Sequence, residues 1–315
     1  MSALAFTILA ALLVGPVPAL LARARWPLRA PRATVVLWQA IALAAVLSAF
    51  SAGIAIASRL LMPGPDGRPT ASIVGDIGRL GWPLWALYVG VFALTVLVGA
   101  RLAIAVLKVA IGTRRRRAHH RMLVDLLGAR AGAPAQDGPR TRDLRILGVA
   151  QPLAYCLPGV RSRVVLSEGT LAALSDAEVS AILSHERAHL RARHDLVLEG
   201  FTAVHAAFPR LVRSAGALDA VQLLVELLAD DAAVRAAGRA PLARALVACA
   251  SGRTPSAALA AGGPSTLVRV RRLSGRGNSR MLAAAVYAAA AAVLVVPTIA
   301  LAIPWLIELQ RLFIA

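Results

Sequence analysis

Charge is scarce in this chain. Of 315 residues, 16% are Asp, Glu, Lys or Arg and 58% are hydrophobic, whereas soluble globular proteins carry about 25% charged residues. That shortage excludes an ordinary water-soluble enzyme, and so apolar a chain is no disordered one either. Cysteine is nearly absent. Cys156 and Cys249 cannot build a disulfide framework and read as reduced core thiols. Lysine is rarer still: Lys108 stands against 34 arginines, a skew that fits GC-rich coding better than any chemistry. Aromatic residues make up 4% and do not interleave with the basic runs, so the net charge of +19 is not read as a nucleic-acid surface. There is no internal repeat, no glycine loop that would cradle phosphate and no G-x-S-x-G elbow.

The charges that exist are segregated. Residues 113–280 hold 25 of the 35 basic and 13 of the 16 acidic side chains. Outside that segment, four stretches free of charge, 2–22, 33–58, 80–100 and 281–307, are each long enough to cross a bilayer, which takes about 20 apolar residues. The first has no basic residue before its apolar run and arginines after it, the wrong polarity for a cleaved signal. It reads as a retained span. The expected organisation is a three-helix membrane region over 1–112, a polar domain over 113–280 and a fourth span with a short tail over 281–315. Short-loop arginines orient it. Arg23, Arg25, Arg29 and Arg32 follow the first span, 114–117 and Arg121 follow the third, and Arg269, Arg271, Arg272, Arg276 and Arg280 precede the fourth. Placing these in the cytoplasm makes the polar domain cytosolic and both termini extracytoplasmic. Arg59, Arg68 and Arg79, diluted by Asp66 and Asp76, fall on the outer side. The basic runs are read as topology signals and contacts to anionic lipid, with His119 and His120 beside them in solvent.

Within the polar segment, 118–128 reads as helix and 132–138 as a loop. Residues 143–150 alternate like a strand, and 152–157 and 161–166 form a hairpin about Pro158-Gly159. Ser175-Asp176-Ala177-Glu178 is a capping box that announces a helix, and a second strong helix spans 217–237 with Gly238 as its stop. Residues 262–265 read as linker.

The first of these helices carries His185-Glu186-Arg187-Ala188-His189. Histidines at i and i+4 share one helix face, so two imidazoles can converge on one tetrahedral zinc while the glutamate reaches the attacking water. Such a site needs a third protein ligand. Glu226, His194, Glu199 and His205 are the candidates. Glu226 is favoured because it is flanked by leucines in the second helix, where an unpaired carboxylate would be costly. Asp230 lies one turn on, on the same face, where it could orient a ligand histidine. A donor for the tetrahedral oxyanion is also required, and Tyr155, His194, His205 and the arginines are conceivable. Tyr155 and His205 read first as core residues, and His194 with Asp195 as a structural or solvated pair. The strand around Tyr155 is a candidate edge for an extended peptide.

H-E-x-x-H followed after 36 intervening residues by E-x-x-x-D resembles the gluzincin pattern, and three spans, a zincin domain and one further span resemble the BlaR/MecR family of membrane metallopeptidases. Ala154-Tyr155-Cys156, Val164-Val165-Leu166-Ser167, Phe208-Pro209 and Ala229-Asp230-Asp231-Ala232-Ala233 fit the same resemblance. It implies that His185, His189 and Glu226 bind one zinc ion per chain, that Glu186 is the catalytic general base and that Asp230 buttresses a ligand histidine, His185. The fold class expected is a multi-span α-helical membrane protein with an inserted α+β, zincin-like cytosolic domain.

The function implied is a membrane zinc endopeptidase that passes on an envelope signal by cutting itself or a winged-helix repressor of the BlaI/MecI type. Partners are then a peptide or protein substrate and the bilayer. Sensors of that family carry a penicillin-binding domain after the last span, whereas this sequence stops eight residues after Ile307, so direct β-lactam acylation is not expected. The short outward loop 61–79 looks too small to bind a ligand by itself. Two other readings stand beside this one: membrane-protein quality control of the HtpX type, which shares both motifs, and a receptor that keeps zinc for structure alone. An intact Glu186 speaks against the last.

Overall fold

The computed structural model describes residues 2–57, 77–130, 143–209, 214–250, 259–260, 265–275, 277–304, 306–307 and 310. The loop 61–79 lies almost wholly outside them, as do the loop 132–138 and most of the linker 262–265.

Among the described residues four helical stretches are long and apolar enough to cross a membrane, so this is a multi-pass membrane protein. The first is broken: α1 (Ser2–Val14) gives way at Gly15 to α2 (Pro16–Arg23), because Pro16 and Pro18 cannot donate the backbone hydrogen bonds that would continue α1. A 3-10 turn, Trp26–Arg29, leads into α3 (Pro31–Ala57), the most buried span. After the short α4 (Ile77–Leu80) comes α5 (Trp82–Leu127). The expected span at 80–100 and the expected helix at 118–128 are here one rod of 46 residues, about 70 Å long at 1.5 Å per residue. Arginine is a good helix former, so the run 114–117 extends the helix past the apolar part and nothing stops it before Gly128. The fourth span is α12 (Arg280–Pro297), which passes into a π-helical turn at Thr298–Ala302.

Between α5 and α12 sits a small mixed sheet with helices on it. Strands β1 (Ala129–Arg130), β2 (Leu144–Leu147), β3 (Ala154–Leu157), β4 (Arg163–Ser167) and β5 (Leu259–Ala260) lie in the order β1-β2-β4-β3-β5. Only the β2–β4 pair is parallel. The β3–β4 hairpin turns at Pro158-Gly159, where Gly159 takes φ 149°, a conformation that a side chain would strain. Arg121 of α5 donates to the Pro158 carbonyl at 2.8 Å and ties the turn to the long helix. The expectation that the Tyr155 strand is an open edge is corrected: β3 has β4 on one side and β5 on the other. Nothing in the composition of residues 250–265 marks a strand there.

The helices of this region are α6 (Glu168–Ala173), α7 (Asp176–Ala192), α8 (His194–Ala207), α9 (Ser214–Ala237), α10 (Arg239–Cys249) and α11 (Thr266–Ser274). The capping box at the start of α7 forms, with Ser175 N–H donating to Glu178 at 2.9 Å. Gly238, at φ 89°, ends α9. Two apolar cores meet along α9. One joins Trp38, Ile41 and Ala44 of α3 to Phe201 of α8 and to Val221, Leu224 and Val225 of α9. The other joins Val164 and Leu166 of the sheet to Ile182 of α7 and Leu242 and Leu246 of α10. The membrane bundle and the polar region therefore share a core, and α9 belongs to both.

Candidate metal centre

Helices α7 and α9 pack against each other extensively, and their crossing builds the site. His185 and His189 are fully buried on one face of α7. Glu226 meets them from α9. His185 Nε2 lies 3.2 Å from His189 Nε2, and each lies 3.4 Å from a Glu226 carboxylate oxygen. Ligand atoms held tetrahedrally by zinc at 2.0–2.1 Å stand about 3.3 Å apart; the two histidine nitrogens have that spacing, and each faces a different Glu226 oxygen, Oε2 for His185 and Oε1 for His189. The donor set is right as well. His185 Nδ1 sits 3.0 Å from Asp230 Oδ1 and His189 Nδ1 sits 3.1 Å from His194 Nδ1, leaving both Nε2 atoms turned toward the shared point. Two imidazole nitrogens and a carboxylate placed this closely are a donor set that could hold one metal ion.

Glu186 is fully buried, and neither carboxylate oxygen has a hydrogen-bond partner. Burial first, and then the Glu226 charge, push its pKa up to about 7 against the pull of His185. A buried carboxylate left without a partner is costly in a folded protein and is the mark of a group kept for chemistry. Cys156 lies beside it, and burial together with Glu186 drives its thiol pKa well up. Burial lowers His189 to about 3 and His194 to about 4, which keeps both rings neutral. Burial would lower His185 too, yet hydrogen bonds to Asp230 and Glu226 hold it at about 9.

A further residue completes the site, and nothing in the sequence reading assigned it there. Arg269 of α11 is 1% exposed. It donates to both Asp230 oxygens at 2.6 and 2.8 Å, and its third nitrogen stands 2.9 Å from Glu226. In the sequence it stands among basic neighbours that read as topology signals. The signal that could have separated it is its spacing: Leu273, one turn on, is the other buried residue of α11, so Arg269 lies on the apolar stripe rather than the wet face. Two more arginines leave the topology reading in the same way. Arg117 reaches Asp195 at 3.1 Å and Glu199 at 2.6 Å. Arg272 binds Asp231 and the Leu28 carbonyl between the first two spans.

Two of the other third-ligand candidates, Glu199 and His194, are engaged elsewhere. Glu199 is engaged by Arg117, and His194 touches the far nitrogen of His189. His194 and Asp195, each 5% exposed, form part of the packed structure. Tyr155 points to the sheet face opposite Cys156, packed with Val124 and Val165, and its hydroxyl lies 3.0 Å from His120 Nε2. That contact also removes His120 from the solvent role expected of it.

Comparison with known proteins agrees with this geometry. A family model described as Peptidase family M48 matches residues 114–277, just over half of the chain. No curated protein and no solved structure matches.

Proposed function

The chain belongs to peptidase family M48, and from that premise we propose that it is an integral-membrane zinc endopeptidase whose catalytic region faces the cytosol. The observation that carries the reading is the convergence of His185 Nε2, His189 Nε2 and the Glu226 carboxylate on one point, with an unpartnered Glu186 beside them. Zinc bound there supplies Lewis-acid polarisation of the scissile carbonyl and acidifies water. Glu186 takes the proton of the attacking water and passes it to the departing amine, and a pKa near 7 suits both transfers. Asp230, 3.0 Å from His185 Nδ1, orients that ring, and Arg269 holds the Asp230 and Glu226 carboxylates in place.

The role assigned to this activity is signalling, through cleavage of the chain itself or of a winged-helix repressor. The BlaR/MecR resemblance supports it, and so does β5. Leu259–Ala260 pairs antiparallel with Tyr155 and Cys156 of β3, the strand packed against α7, so a piece of the chain's own backbone lies beside the site. Topology rests on the arginine distribution, with α11 and the cytoplasmic ends of the spans on one side.

The test is a comparison of wild type with Glu186→Ala in the native host. New N-termini are mapped by mass spectrometry, and proteins retained by the inactive variant are identified. Cleavage of a single repressor, or within 250–265, supports signalling. Broad cleavage of damaged membrane proteins replaces it with quality control of the HtpX type. Unchanged signalling in Glu186→Ala would overturn the enzymatic account and leave a zinc-containing receptor.

A further inference from the structure

Where the membrane bundle meets the metal-site helices there is a cavity of about 270 Å³ walled by α1, α3, α5, α8 and α9. Its walls are apolar side chains throughout, among them Trp38, Ala45, Val98, Leu102, Phe201 and Ala217. An apolar cavity of about 150 Å³ stays dry and admits a benzene ring, so this larger one holds several methylene groups and no water. Left empty, its lining forfeits its dispersion contacts. One end is walled by Trp38, set edge-on to Phe201 at 6.4 Å. The other end is bounded by the exposed Ala49 and by Phe50. Phe50 lies so close to Gly99 that a Cβ there would stand 2.8 Å from its ring. Since α1, α3 and α5 are membrane spans, the solvent at that opening is lipid.

We propose that the cavity is a phospholipid site: one acyl chain of a bilayer lipid enters past Ala49 and Phe50 and fills it. The consequence for the enzyme lies in the walls. Phe201 lies on α8 and Phe208 caps its end; α8 starts at His194 against His189, and Ala217 stands on α9 with Glu226. A chain in the cavity therefore packs on the two helices that frame the metal site.

Two measurements test this on the full-length protein. In native mass spectrometry of the detergent-extracted wild type, one phospholipid per chain is expected to survive extraction. It is lost in Ala45→Phe, which fills the cavity, while zinc content stays that of the wild type. A wild type that carries no phospholipid overturns the proposal. So does one that carries only detergent or a free fatty acid, or equal retention in Ala45→Phe. Should that variant fail to fold, Ala42→Leu on the same wall takes its place. The second measurement keeps Trp38 as the sole tryptophan by changing the other four to Phe and reconstitutes the protein with acyl-brominated phospholipid. Trp38 is 2% exposed, so a bromine touches it only by entering the cavity. Strong quenching that Ala45→Phe or Ala42→Leu relieves is expected, and unquenched emission sinks the idea.

Discussion

The two halves of α9 are buried by opposite means. Its first half, with Val221, Leu224 and Val225, lies against α3 and α8 in an apolar core where contact is non-directional and scales with area. Its second half carries Glu226 and Asp230 into a cluster of buried histidine, carboxylate and guanidinium groups, where each atom must find a specified partner. The first kind of burial tolerates exchange among residues of similar volume, and the second does not. The same helix thus anchors the catalytic region to the membrane bundle at one end and holds its chemistry at the other.

The sharpest break in that comparison is made at Glu186. Glu186→Gln removes the proton carrier and is expected to lower the turnover of any peptide the wild type cuts by about 10³-fold, with one zinc per chain retained by elemental analysis. Because its oxygens are buried without partners, the same change should leave the metal-free protein no less stable, and its melting temperature in detergent measures that. Lost zinc would instead mean that Glu186 shapes the metal site. Glu226→Ala is the complement, expected to abolish stoichiometric zinc.

The next break falls on the ion cluster. Arg269→Met takes the buried guanidinium away from Asp230 and Glu226, and losing one partner of a buried pair costs about 3–5 kcal/mol. If the cluster acts as a unit, Asp230→Asn in the Arg269→Met background should cost far less than the sum of the single changes. Additive losses in a double-mutant cycle, read by unfolding in mild detergent, would show that the two residues act separately.

The apolar half should respond by volume alone. Leu224 is 2% exposed, so Leu224→Ala is expected to cost about 3 kcal/mol and Leu224→Met less than about 1.5 kcal/mol, neither changing zinc content. A large zinc loss in Leu224→Met would mean that the two halves of α9 are more tightly coupled than their contacts indicate.

The contrast also explains what could be read from the sequence. His185, Glu186 and His189 were legible because a metal fixes residue types at a fixed helical spacing, and Glu226 with Asp230 because i+4 carboxylates among leucines have few other uses. The spans were legible because the bilayer imposes length and composition. Arg269 and Arg117 were not, since an arginine beside a span has one composition whether it faces lipid or a buried carboxylate, and only its three-dimensional partner decides. β5 was hidden because its two residues derive strand character from pairing with β3 rather than from their own propensity. The continuity of α5 was missed because a change from apolar to charged residues alters what surrounds a helix without ending it.

The smallest expected effect concerns a polar contact away from the metal, at the start of α7. Glu178 accepts from Arg244 and from Ser175 N–H, and these hydrogen bonds, Arg244 first, lower its pKa below the usual glutamate value. A carboxylate whose folded pKa is depressed adds stability that is fully present above its unfolded pKa, about 4.3, and is lost as pH falls through the folded value. Wild type and Glu178→Gln should therefore differ in melting temperature at neutral pH and converge in acid. Ser175→Ala, which removes the N-cap hydroxyl, should cost about 1 kcal/mol with little dependence on pH. A gap between wild type and Glu178→Gln that stays the same on acidification would mean that Glu178 works through packing rather than charge, and α7 would then owe its N-terminus to the same non-directional burial as the first half of α9.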